Sequence, residues 1–303
     1  MTPHLKRLSL PLPWGGEVHP VLITTADARI LIDCGHTSSA SRSALMSALA
    51  DEPPDLLILT HAHQDHYGGL PAVLEAYPGL PVYASRHAQP YYEDQQRTVL
   101  AHRDALADFA DRVGVEGVLR TQILSGFDRI ATSGCTTALA RLLDDGDELE
   151  FSGLTLRVHY HPGHHHHHLV LEAKQCERLI TGDNIFTTNL TPPQVRFDAQ
   201  GRRLAELPRL IASLHRLADI GGHALPSHGP ELPDVRGVAL RAIKAYQRTA
   251  ERVRTALTAY DTPPPLPELM QAVFGEVPLN FVGLRLGFLL GYADLVGLGA
   301  AYR

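Results

Sequence analysis

Residues 55–66 read DLLILTHAHQDH. The unbroken apolar run lacks the alternation of a half-exposed strand and reads as a strand buried on both faces. It leads straight into a loop that packs three histidines and one aspartate into six residues. In extended chain, His61 and His63 point the same way. Asp65 and His66 fall where a helix begins and turn toward a second point in space. One short loop can thus serve two metal ions, for which imidazole and carboxylate are the expected ligands.

The rest of the chain supplies comparable strand ends. VHPVLITTADARILIDCG (18–35) carries two apolar runs around a polar turn at Thr24–Ala28, a hairpin pattern closed by Asp33 and Gly35. A short helix is expected at Ser41–Ala50, another at Leu70–Ala76, and a strand at 80–85. Residues 86–138 are rich in helix formers of mixed charge and read as a helical insertion or lid. Strand signals resume only at about 148, in LLDDGDELEFSGLTLRVHYHPGH (142–164). HLVLEA and RLITGDNIF are two more strands, 202–219 a helix, and HALPSHGP (223–230) a last strand-end loop. Beyond Pro233 a long helix is expected over Val235–Tyr260, then a break at DTPPPLP and a short helical tail. This divides the chain into a main unit, 1–232, and a C-terminal helical region, 233–303.

Of the 303 residues, 18 are histidine, and five stand together in HPGHHHHH (161–168). Apolar stretches at 154–160 and 169–171 flank the run, so it belongs to the fold and not to an appended tail. The histidines and carboxylates that directly follow expected strands are His61, His63, Asp65 and His66, then His164, Asp183 and His228. His223, five residues before His228, is its rival. A net charge of −6 argues against a protein built chiefly to grip nucleic acid. Cys34, Cys135 and Cys176 form no CxxC pair and suit a reducing, cytoplasmic setting. The N-terminal stretch has no apolar core long enough for a secretory signal. Phe281–Tyr302 carries Arg285 and Asp294, so a buried or interface helix pair is expected there and not a membrane span. Its need for cover suggests a homodimer. Arg241, Lys244, Arg248 and Arg252 share one helix face, which reads as a solvated stripe.

Taken in order, HAHQDH, LIDCG, the strand-turn-strand approach to PGH, TGDNIF and SHGP resemble the HxHxDH pattern and companion motifs of the metallo-β-lactamase superfamily over most of residues 17–232. The resemblance implies an α/β fold, a four-layer αββα sandwich with the site at one edge of its two sheets, here with a helical insertion and a helical C-terminal tail. Carried over, His61, His63 and His164 hold a first metal, and Asp65, His66 and His228 hold a second. Asp183 bridges them, and His168 and Asp33 act as support residues. The implied cofactors are two divalent ions, zinc first, with iron or manganese as alternatives. Two ions roughly 3.5–4 Å apart share a hydroxide as nucleophile. Asp65 is also the catalytic candidate, passing a proton to the leaving group.

This chain departs from the family where His165 and His167 replace a small hydroxyl residue and a glycine. His165, His166 and His167 are read as solvated loop residues ahead of lining the substrate entrance. Tyr91 and Tyr92 are expected to pack inside the insertion. The implied activity is hydrolysis of a small-molecule ester, thioester or lactone, glyoxalase-II-like chemistry among the candidates. Phe186 stands where some lactonases carry tyrosine. The alternatives are an iron-dependent persulfide-dioxygenase-like oxidoreductase and an endoribonuclease or phosphodiesterase of the same fold.

Overall fold

A computed structural model describes residues 2–133, 135–198 and 200–302; Met1, Gly134, Ala199 and Arg303 lie outside the described residues. In chain order the first half contains β1 (His4–Arg7), β2 (Leu10–Pro11), β3 (Glu17–Val18), β4 (Val21–Thr24), β5 (Arg29–Ile32), α1 (Ser39–Leu49), β6 (Leu56–Leu59), α2 (Gln64–Tyr67), α3 (Leu70–Ala76) and β7 (Val82–Ser85). The insertion supplies α4 (Gln89–Glu93), α5 (Gln95–Arg112) and α6 (Gly117–Ser133), and β8 (Arg141–Leu143) follows it. The second half holds β9 (Glu148–Phe151), β10 (Leu154–Tyr160), β11 (Leu169–Ala173), β12 (Arg178–Gly182), α7 (Glu206–Ile220), β13 (His223–Pro226), α8 (Val235–Leu257), α9 (Leu266–Phe274) and α10 (Val282–Leu295).

These strands form a six-stranded sheet, β1-β4-β5-β6-β7-β8, and a five-stranded sheet, β13-β12-β11-β10-β9. Strand periodicity sorts the side chains into three cores. On β6, Leu57 and Leu59 face the layer of α1 and α3, whereas Leu56 and Ile58 face the other sheet. On β12, Leu179 faces the opposite helices and Ile180 the space between the sheets. Three cores between four layers make an αββα sandwich. β6 is buried at every position, as its unbroken apolar run requires.

Sheet polarity decides where the strand ends go. β6 runs parallel to β5 and β7. β12 is parallel to β13 and antiparallel to β11, which in turn is antiparallel to β10. The C-terminal ends of β10, β12 and β13 therefore open on one edge of their sheet, where the chain continues into His164, Asp183 and His228.

Several sequence expectations shift. The residues before Val18, assigned no element, supply β1, β2 and the start of β3, whose short runs give no periodicity to read. β8 is a three-residue edge strand that precedes the expected restart at 148. The helix expected from 202 begins at Glu206, because Arg203 is held in an isolated bridge with Phe197 and in a buried ion pair with Asp294. α10 is mostly buried against α7 and α8 within the chain, sharing one core with α5 and α6, so much of the cover sought in a partner subunit comes from the chain itself. The basic stripe on α8 is exposed, opposite the buried Val235, Ala239, Ile243 and Tyr246. Among the described residues no single helix is long and apolar enough to cross a membrane.

Candidate metal centre

The strand ends bring the predicted ligands together as two adjacent groups, His61, His63, His164 and Asp183 in one, and Asp65, His66 and His228 in the other. In the first, His61 Nε2 and His164 Nε2 each lie 3.0 Å from His63 Nδ1. In the second, His228 Nε2 lies 3.2 Å from Asp65 Oδ2. Asp183 faces both: its Oδ2 is 3.5 Å from His164 Nε2, and its Oδ1 is 3.3 Å from His66 Nε2 and 3.5 Å from His228 Nε2. His223, the rival, is exposed at the start of β13.

The outward nitrogen of four of these rings fixes what the inward one can be. His164 Nδ1 must donate to the Pro192 carbonyl (2.9 Å) and His228 Nδ1 to the Glu17 carbonyl (3.0 Å). His66 Nδ1 donates to Asp33 Oδ2 at 2.8 Å. The Thr60 hydroxyl gives its single proton to Asp33 (2.7 Å), so it accepts from His61 Nδ1 at 3.0 Å. In the neutral rings each of these four Nε2 atoms is then a bare lone pair, aimed at His63 Nδ1 or at a carboxylate. His66 Nε2 and Asp183 Oδ1 are buried with no hydrogen-bond partner. Such a cluster needs positive charge at its centre, and the donor set suits divalent ions of the zinc type.

Without an ion, protons meet part of that need. Burial opposes charge on His66 and His228, yet Asp183 and Asp65 hold His66 well above the usual imidazole range and raise His228 to about 10. Asp65, despite burial, is held at about 2 by His66 and His228. In the first group, burial and then His164 lower His63 to about 3, leaving it neutral. Ligands must be unprotonated to bind, so metal uptake at pH 7 is expected to expel roughly two protons per chain. Zinc added to chelator-treated protein in weak buffer with an indicator dye checks this; no acidification would contradict it.

The support residues have defined tasks. Asp33, at φ 62°, accepts from Thr60 N (2.8 Å), Thr60 Oγ1 and His66 Nδ1, and so ties the β6 end to the second group. Asp33→Asn is expected to weaken metal binding roughly 10–100-fold, measured by chelator competition. His168 Nε2 accepts from Asp183 N at 3.1 Å, and a side chain on Gly182 would collide with that ring. Gly163, at φ 128°, lies against the Leu210 backbone with no space for a Cβ. Gly163→Ala should displace the loop carrying His164, costing about 2 kcal/mol or more in urea unfolding and lowering metal occupancy.

The reading of His165, His166 and His167 as solvated is corrected. His165 and His167 are only 5% and 2% exposed, and His166 is half-buried. Gln194 brackets them, its Oε1 accepting from His166 N (3.1 Å) and its Nε2 meeting His165 Nε2 (3.3 Å). The insertion and residues 192–197 cover the run from a distance that a loop's own sequence does not reveal. Tyr91 and Tyr92 are buried, but against the main unit and not within the insertion: Tyr91 donates to the Tyr67 hydroxyl at 2.8 Å and Tyr92 to the His61 carbonyl at 3.3 Å. The Phe186 ring stands edge-on to His228 at 5.8 Å. Thr60, Gln194 and the carbonyls of Glu17 and Pro192 were invisible as site components, since only Thr60 adjoins a motif.

The family model for the metallo-beta-lactamase superfamily matches residues 13–229. The chain belongs to that superfamily. Its relatives within the superfamily include the lactamase-like protein vrtG of Penicillium aethiopicum, 26% identical over 270 residues, spanning 86% of this chain and 69% of the relative. A hydroxyacylglutathione hydrolase of Xylella fastidiosa is 29% identical over 161 residues, 51% of this chain and 43% of that protein, so the match spans less than half of the relative. A metallo-beta-lactamase family protein of Thermus thermophilus shares the fold with a TM-score of 0.76 at 24% identity, covering 97% of this chain and 94% of that one. The four-layer fold follows from membership, which also supports a metal-dependent hydrolase; substrate and ion number do not follow from it.

Proposed function

We propose that the protein is a dinuclear metal hydrolase of esters, thioesters or lactones of small molecules, with zinc as the resident metal. The observation that carries the reading is Asp183, whose two carboxylate oxygens are divided between the two ligand groups. A carboxylate so placed between two nitrogen-rich clusters suits a bridge. His61, His63 and His164 would hold one ion, and Asp65, His66 and His228 the other. Bound there, the two ions supply Lewis acidity and lower the pKa of water toward 7.

The chain's own residues do the rest. Asp33 and Thr60 hold His66 and His61 in the tautomers that present Nε2 inward. Asp65 keeps its carboxylate ionised beside His66 and His228, and so placed it would accept the proton lost by the attacking water and pass it to the leaving group. His165 and Gln194, together with α5 and α6, line one side of the centre. The match to a hydroxyacylglutathione hydrolase supports thioesters as one substrate class. The unpaired cysteines fit a cytoplasmic enzyme.

The test is metal content together with turnover. Protein purified without added metal is expected to hold two zinc ions per chain and to cleave members of a thioester, ester and lactone panel, losing activity to chelator. One iron per chain with oxygen uptake, or turnover confined to phosphodiesters, would overturn the proposal.

A further inference from the structure

Beside the metal centre lies a cavity of about 700 Å³. His63 and His164 of the first ligand group form part of its wall, so it opens directly onto the proposed reaction centre. The opposite walls are apolar and come from the insertion and the C-terminal helix: Val99 and Leu106 from α5, Ile123, Phe127 and Ile130 from α6, and Leu286 from α10. His102 closes one end against the Phe127 and Phe197 rings, 5.0 and 5.8 Å away.

The charged side chains in the lining are Arg196 and Asp198. Arg196 shares the buried Glu206 with Arg209, at 3.7 and 3.0 Å, and Asp198 is paired with Arg202 at 2.8 Å. A concavity of this size, apolar on most sides, suits an uncharged hydrocarbon group.

We infer that this cavity is the acyl-binding site, taking the apolar acyl chain of an ester or thioester whose carbonyl lies at His63 and His164 and setting a preference for long acyl groups. This rests on the hydrolase reading and deepens it. The insertion and α10 then act as specificity elements, supplying the walls that meet the acyl chain.

The test uses the metal-loaded protein and N-acetylcysteamine thioesters from acetyl to dodecanoyl, with calorimetric binding of dodecanoate as a readout independent of turnover. The expected kcat/KM rises about fourfold per methylene until the cavity is filled. Ile123→Trp, which fills the space, should lower the dodecanoyl-to-acetyl ratio at least tenfold and weaken dodecanoate binding by a similar factor. Phe127→Ala, which enlarges it, should move the optimum to longer chains, and serves if the tryptophan variant fails to fold. A flat chain-length profile with no dodecanoate binding, or profiles unchanged in both variants, overturns the acyl site while leaving the hydrolase reading intact. Dodecanoate binding that Ile123→Trp weakens, without cleavage of any thioester, ester or lactone, supports the cavity as the apolar-chain site and overturns only the hydrolase reading.

Discussion

Asp183→Asn is expected to reduce bound metal from two ions per chain to one or fewer and to cut turnover by roughly a hundredfold or more. The substitution keeps shape and one oxygen acceptor but removes the negative charge. In the folded protein that charge faces His164 on one side and His66 and His228 on the other. The backbone at this position is held independently, by Asp183 N donating to His168 and by Thr191 Oγ1 donating to the Asp183 carbonyl at 3.1 Å. The loop should therefore stay in place, and the loss can be assigned to charge. Metal analysis after dialysis and steady-state kinetics read the two effects, and circular dichroism reads the fold. Two retained ions with wild-type turnover would remove Asp183 from the bridging role.

The largest stability effect is expected far from the metal centre. Arg203→Ala should destabilise the protein by about 3–5 kcal/mol, because it strands a buried carboxylate. Arg203 and Asp294 have side chains only 3% exposed. The guanidinium makes two charged bonds to Asp294, at 2.7 and 2.6 Å, and donates as well to the carbonyls of Tyr302, Leu204 and Gly299. One side chain thus fastens the segment before α7 to α10 and to the chain's last turn. Urea unfolding is expected to show a lower midpoint at similar slope. Arg203→Lys keeps the charge but not the planar fork, and should recover only part of the loss. A midpoint within experimental error of wild type for Arg203→Ala would show the pair to be dispensable.

Particular segments show how much could be read without coordinates. DLLILT announced a doubly covered strand because its burial is written in an unbroken apolar run. HAHQDH, PGH, TGD and SHGP announced ligands because each follows such a strand within a few residues. β1–β3 and β8 were not legible. They are short, and they exist because neighbouring strands already present an edge for them to pair with. Arg203 was assigned to a helix because local propensity cannot register a partner 91 residues away.

The histidine run marks the boundary between the two kinds of information. His164 is placed by its position after the PGH turn, a local matter of chain direction and a glycine whose backbone sits against Leu210. His165, His166 and His167 look like solvated loop residues in isolation, and their burial is decided by α4–α6 and by Gln194, which arrive from elsewhere in the chain. Sequence by itself determined the buried strands and the residue types at the metal centre, because strand periodicity and strand-end motifs are short-range properties, and the layered fold followed from the resemblance those motifs carry. Only the tertiary structure decided that Asp183 divides its oxygens between two groups, which ring nitrogens face inward, and that an apolar cavity stands beside them. Those features depend on distances between side chains that the chain brings together from as far apart as Glu17 and His228.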